Sequence, residues 1–359
     1  MYIQFYDACK IGNSLLLSAC NFNGLFRYNL KTEELSFVSH FPCEKLSKKY
    51  LHSGVIKRNN KVFFIPYMGC SISSFDLRRE TFEFDQLCDK DSNNAFVFPL
   101  MYKNQVIIIP SDLSRKVYKL DDAGEMFFVD GRLTEIIHNL IESEPEALCD
   151  IAGCAIHGSD LVIGLFGRSK ILKINLESGS GNVLKIDGAI IGNLIFYKDS
   201  IWNVSAGGGK CQNISNDGSI LFEYDLCDPT TRGYQLFITH NKELYLLGCI
   251  KDSLLKLVDN SWVEVVDNFP KEYKRVTEWA FLSGSKVIDK DLYLFPASGN
   301  GIVKIDSEEN YSFMKTYTDD FTLASLKELL KADINSGLIV NETSEIGIGS
   351  FLACLSNDN

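Results

Sequence analysis

The sequence predicts an all-β protein folded as a β-propeller of seven four-stranded blades, with six as the alternative count. A phrase of short strands and turns recurs at a period of roughly 40 to 55 residues, which is blade length. Inside each phrase the apolar residues alternate with a period of two, which excludes a helical solenoid. Polar turn pairs fall at corresponding places in each copy. One such sheet cannot bury both of its faces, whereas blades packed radially cover one another and leave only short edges.

The phrase is clearest over residues 55–84. An alternating stretch, Val55-Ile56-Lys57-Arg58, meets the turn pair Asn59-Asn60, and the apolar run Val62-Phe63-Phe64-Ile65 is stopped by Pro66-Tyr67. Ser73-Ser74-Phe75-Asp76-Leu77 and Thr81-Phe82-Glu83-Phe84 complete the set. The other copies align on turns at Gly12-Asn13, Lys103-Asn104, Gly158-Ser159, Lys198-Asp199, Asn241-Lys242 and Asp289-Lys290. The fifth copy departs from the pattern: residues 207–218 read as a glycine-rich loop inserted before Ile220-Leu221-Phe222.

Two segments do not fit a blade. Leu133, Ile136, Ile137, Leu140 and Ile141 recur at helical spacing and predict a short helix inserted over residues 133–148. Thr322-Leu323-Ala324-Ser325-Leu326 opens with a capping residue and predicts a helical tail, so the chain divides into a propeller at 1–318 and a tail at 319–359. Closure of the ring is left between packing alone and a strand supplied by residues 338–340 or 344–355.

The net charge of −11, with no basic cluster larger than Lys48-Lys49 or Arg78-Arg79, argues against nucleic acid and against an anionic membrane surface. The first residues lack the basic-then-apolar order of a secretory signal, and no apolar run approaches the ~20 residues of a membrane helix. Eleven cysteines without a Cys-x-x-Cys pair, among them Cys9, Cys154 and Cys249 on apolar strands, read as buried hydrophobes of a reducing compartment. A soluble, cytoplasmic protein without metal or cofactor is the expectation.

Strands ending in proline, as in Phe64-Ile65-Pro66 and Leu294-Phe295-Pro296, precede strands ending in Asp-Leu, as in Phe75-Asp76-Leu77. In this the blades resemble bacterial kelch-like propellers and the galactose-oxidase central domain. The resemblance spans nearly the whole chain but is architectural. The kelch diglycine occurs once, at Gly207-Gly208, and Ser215-Asn216-Asp217-Gly218 is one residue short of a sialidase Asp-box. It implies a binding or scaffolding platform and carries over no catalytic residue.

Turns between first and second strands are tight and define a bottom face. Longer connections, over residues 41–50, 88–95, 133–148, 207–218 and 268–275, gather at the top, where a ligand site is expected. Its candidates are His52, a lone acid or base; Tyr67, which follows Pro66; Asp112 and Arg168, at equivalent places in successive copies; and Arg275 with Trp279, at the start of the seventh copy. Each has a bland alternative: aromatic packing for Tyr67 and Trp279, solvated charge for Asp112 and Arg168. The five histidines lack metal-ligand spacing, and Gly207-Gly208-Gly209-Lys210 lacks the strand-to-helix setting of a phosphate cradle. The expectation is a non-enzymatic propeller that presents its top face to a peptide, glycan or protein partner, basic groups suiting its charge. The alternative is a propeller lactonase, lyase or glycan hydrolase whose residues converge from several blades.

Overall fold

The computed structural model describes residues 3–20, 22–46, 48–87, 99–143, 150–206, 209–226, 234–248, 254–265, 270–274, 284–295, 299–317 and 324. They form seven four-stranded antiparallel sheets, each with its strands in chain order. The sheets span residues 5–39, 52–86, 100–129, 151–185, 193–225, 234–264 and 284–315, and are numbered here as blades 1 to 7. Blades 1, 2 and 7 make one compact unit and blades 3 to 6 another. Among the described residues no helix is long and apolar enough to cross a membrane.

Turn chemistry sets the register. The first residue of every turn joining a first strand to a second has positive φ: Gly12, Asn59, Lys103, Gly158, Lys198, Asn241 and Asp289. In Lys198-Asp199 and Asn241-Lys242 both turn residues do, the backbone of a two-residue hairpin whose twist matches that of its strands. The second strands are the best-buried segments: Leu15, Leu16 and Leu17, Val62 to Ile65, and Leu161, Val162 and Ile163 lie almost wholly out of solvent. Their apolar side chains fill cores shared by adjacent blades, such as Leu17, Phe26, Tyr293 and Ile302 between blades 1 and 7.

The inserted helix runs Gly131–Glu142. It starts earlier than the apolar spacing predicts because the Asp130 carboxylate caps it, accepting from the Leu133 amide at 3.0 Å. Leu133 and Ile137 bury into the core of blades 3 and 4, and Ser143 closes the helix. Residues 144–148 of the predicted helix lie outside the described residues, as does the predicted tail over 319–359 apart from Ala324.

One loop expected at the top is a strand. Lys210–Ile214 is the third strand of blade 5, and residues 215–219 are its bottom turn. The strand escapes sequence reading because its buried residues include Gln212 and Asn213, which break the apolar alternation. Gln212 is held by hydrogen bonds: its Oε1 accepts from Asn203 Nδ2 at 3.0 Å and its Nε2 donates to Glu223. Burial of polar groups is tolerated when they are paired in this way. The described cysteines Cys9, Cys20, Cys43, Cys70, Cys154 and Cys211 are all free thiols. Cys9 is buried and Cys154 half-buried, while Cys249 lies outside the described residues.

First strands of neighbouring blades touch through their backbones, and one position governs the approach. In blades 1, 2, 4, 5 and 7 it is occupied by Asp7, Gly54, Gly153, Asn193 and Gly284, each at the same distance ahead of its turn, and in blade 6 by Leu236. A Cβ on Gly284 would fall 1.9 Å from the Tyr6 carbonyl oxygen, and one on Gly153 would fall 2.9 Å from the Leu194 amide. Where the residue is polar it binds the next first strand instead. Asp7 Oδ2 accepts from the Val55 amide at 2.7 Å, and Asn193 Oδ1 accepts from Phe237, the corresponding residue of blade 6, at 3.4 Å.

Lys286 of blade 7 completes the latch, with Nζ 2.8 Å from Asp7 Oδ2 and a second bond to the Val55 carbonyl. Burial lifts the Asp7 carboxyl above its ordinary range, against the pull of Lys286 and of the Val55 and Ala8 amides. In the same unit the Ile3 amide donates to the Thr316 carbonyl at 2.9 Å, tying the start of blade 1 to the end of blade 7. Each of these two blades keeps four strands of its own.

Truncating Asp7→Ala strands a partly buried ammonium and an amide, and is expected to lower the urea-unfolding free energy by about 3 kcal/mol. Asp7→Asn, which keeps an acceptor, should cost less than half of that. Gly284→Ala should cost about 2 kcal/mol or more through backbone displacement, while Gly188→Ala, with open space around its Cβ position, isolates the cost of its positive φ. Equal stabilities for all four would remove the latch as an organising contact.

Candidate functional site

His52 opens the first strand of blade 2 and is 3 % exposed. Its Nδ1 lies 2.8 Å from Ser18 Oγ, and its ring packs against Phe41 at 4.3 Å and Phe64 at 5.5 Å between centroids. Nε2 is buried with no partner among the described residues. Burial drives its pKa down to about 3, so the imidazole is neutral at physiological pH. Among the described residues no carboxylate bonds the ring, and Ser18 and His52 both lie almost wholly out of solvent.

Tyr67 stands where the sequence places it, on the top rim. Its amide donates to the Leu51 carbonyl at 2.7 Å, which fixes it just beyond the end of the second strand. The same bond is made in blade 1 from Cys20 to Gln4 and in blade 4 from Phe166 to Asp150, so all three residues occupy one rim position. Tyr67 is 39 % exposed and Phe166 50 %.

In blades 1 and 2 the rim becomes a tyrosine cluster. The Tyr6 ring lies 6.2 Å from Tyr67 and 5.9 Å from Tyr50. Tyr6 sits at a bulge between Phe5 and Ala8 in the first strand, and bulges re-aim side chains. Burial pushes its hydroxyl far above the ordinary phenol range, so it stays protonated. Tyr50 projects from the connection into blade 2 with φ of 53°, a left-handed conformation that costs a bulky residue free energy. Among the described residues no hydrogen bond engages the three hydroxyls.

The corresponding end of blade 4 carries Phe166, Arg168 and Ile190, with both apolar side chains exposed. Arg168 Nε is buried without a partner among the described residues. Asp112 and Arg168 are not brought together as an ion pair. Asp112 accepts from Ser114 and lies 3.8 Å from Arg115, and its backbone bridges to Asp150. Arg275 and Trp279 lie outside the described residues. No group of three His, Cys, Asp or Glu side chains is gathered as a metal would require among the described residues.

Sequence reading missed Tyr6, Tyr50, Phe166 and Ile190. The signal for Phe166 was available in its alignment with Tyr67 just after the second strand. Tyr6 and Tyr50 depend on a bulge and a left-handed residue that leave no mark in the sequence.

The environment of His52 has a pH consequence. A histidine whose folded pKa lies below its unfolded value contributes stability that is complete above about pH 6.5 and lost as pH falls towards 3. Between pH 7 and pH 5 the loss from this site is expected to be about 2 kcal/mol. His52→Gln, which can still bond Ser18, should flatten the pH dependence of the unfolding free energy by that amount. An unchanged slope would place the imidazole in contact with water.

No family model and no curated sequence matches the chain. Its fold is found in solved structures. A catalytically inactive virginiamycin B lyase from Staphylococcus aureus with quinupristin is 14 % identical, with a TM-score of 0.60 over 84 % of this chain and 94 % of that one. YCF48 bound to D1 peptide is 13 % identical, with a TM-score of 0.56 over 84 % and 91 %. BamB from Moraxella catarrhalis is 14 % identical, with a TM-score of 0.51 over 80 % of each chain. At such identities the likeness is one of fold, and the fold they share with this chain is the β-propeller.

Proposed function

We propose that this protein is a non-enzymatic binding propeller that takes a peptide segment of a partner protein on the top rim of its blades. The observation that carries the reading is the clustering of Tyr6, Tyr50 and Tyr67, two of them exposed and one held in left-handed backbone. Tyrosine offers a large contact area for the loss of only two side-chain torsions, together with a hydroxyl for hydrogen bonding. Aromatic and arginine side chains dominate binding hot spots, and Phe166 and Arg168 supply that pairing at the rim of blade 4. The peptide-bound YCF48 structure supports the reading by example, since it is a propeller of similar fold with a peptide in place.

A random peptide library displayed on phage, selected on the wild-type chain, tests it. Enriched peptides should bind the Tyr50→Ala/Tyr67→Ala variant at least about tenfold more weakly by fluorescence polarisation, a loss of about 1.4 kcal/mol or more. Circular dichroism confirms that the variant is folded. Peptides indifferent to both tyrosines would overturn the assignment of the rim. Stoichiometric metal in the purified protein, with turnover that its removal abolishes, would favour the propeller-enzyme alternative.

A further inference from the structure

A cavity of about 410 Å³ opens at the bottom ends of blades 5 and 6. Tyr197, Trp202, Asn213, Leu221, Leu257 and Asn260 are among its lining residues. A second hollow of about 520 Å³ shares Lys198, Leu257 and Asn260 with it and extends past Glu243 and Lys256.

Trp202 and Asn213 face each other on paired strands, so their side chains leave the same face of the sheet. They are 3 % and 8 % exposed. Trp202 Nε1 and Asn213 Oδ1 are both buried without a hydrogen-bond partner among the described residues. One orphaned buried donor and one orphaned buried acceptor leave two desolvation penalties of about 1–3 kcal/mol each unrelieved.

Five of the other blades fill this place with a long cationic side chain. The residue corresponding to Asn213 is Arg27 in blade 1, Lys119 in blade 3, Lys173 in blade 4, Lys256 in blade 6 and Lys304 in blade 7, while blade 2 has Ser74 opposite Phe63. In blades 6 and 7 that lysine reaches over the ring paired with it, Tyr245 at 5.7 Å and Tyr293 at 5.9 Å. Blade 5 pairs the shorter Asn213 with the larger Trp202, which brings no cation to the ring. The long aliphatic stem that those five blades carry here is missing, and an amide dipole and an indole N–H take its place.

We infer that this cavity is a second binding site, for a carboxamide group carried by a peptide bond or an amide side chain. A carboxamide places a carbonyl oxygen and an N–H side by side, complementary to Trp202 Nε1–H and Asn213 Oδ1. A carboxylate offers Asn213 no donor, and an ammonium offers Trp202 no acceptor. Sugar stacking is disfavoured because the indole already stacks on Tyr224 at 6.0 Å and meets the edge of Trp262 at 6.0 Å. Leu221 and Leu257 supply apolar contact for the carbon skeleton beside the amide. This site shares no residue with the tyrosine rim and stands whether or not the rim binds a peptide.

The test uses the indole N–H resonances of the full-length protein, which has three tryptophans. Trp202→Phe identifies the signal. N-methylacetamide should move the Trp202 resonance downfield and saturably in the millimolar range, and methyl acetate, isosteric but lacking the N–H, should bind at least tenfold more weakly. Asn213→Lys installs the residue of blades 3, 4, 6 and 7, so it should abolish the shift while the protein stays folded. A shift that never saturates, that methyl acetate reproduces, or that persists in Asn213→Lys overturns the site. Should Asn213→Lys fail to fold, the comparison of amide with ester in the native chain decides alone.

Discussion

The structure depends on how closely the first strands of neighbouring blades can approach. At that spacing the side chain five residues ahead of the turn takes one of two forms in blades 1, 2, 4, 5 and 7. It can be absent, as at Gly153 and Gly284, where a Cβ would strike backbone, or it can be a short acceptor that replaces the clash with a hydrogen bond, as at Asp7 and Asn193. Close packing between blades then follows, and the second strands become the most deeply buried residues. Asp7 and Lys286 form the most elaborate version, binding first strands of blades 7, 1 and 2 through one carboxylate. A buried ion pair is weak evidence of net stabilisation, yet removing either member is costly. Its firmer role is to fix how three backbones register, since its bonds go to particular amide and carbonyl groups.

That constraint makes the two ends of each blade chemically different. At the bottom, chain reversal within two residues leaves little room for variation, and backbone with positive φ dictates Gly, Asn, Asp or Lys. At the top, connections are free in length, and bulges in the first strands of blades 1, 2, 4 and 6 turn residues out of the ladder. The rim tyrosines arise from this freedom. The cavity of blade 5 arises differently, at a position where five blades carry a cation and blade 5 carries Asn213.

Much of the architecture was legible because it rests on local chemistry repeated along the chain. Turn pairs such as Lys198-Asp199 and Asn241-Lys242, and runs such as Val62 to Ile65, carry their signal within a few residues. The third strand of blade 5 was not legible, because Gln212 and Asn213 are buried polar residues whose partners Asn203 and Glu223 are supplied by adjacent strands. Among the site residues, Tyr67 could be found from its place after Pro66. His52 could not be judged: its neutral state comes from Ser18, Phe41 and Phe64, none of them a close neighbour in the chain.

The sequence by itself determined the repeat and the all-β class, because a period-two pattern and turn residues encode them locally, and it left the blade count between seven and six. Only the tertiary structure decided that His52 is a core residue, that Asp112 turns to Arg115, that three tyrosines meet on one rim and that Trp202 and Asn213 face a cavity unpaired. These depend on distances between residues far apart in the chain. Such distances follow from how blades pack, and each of those side chains taken alone fits several environments equally well.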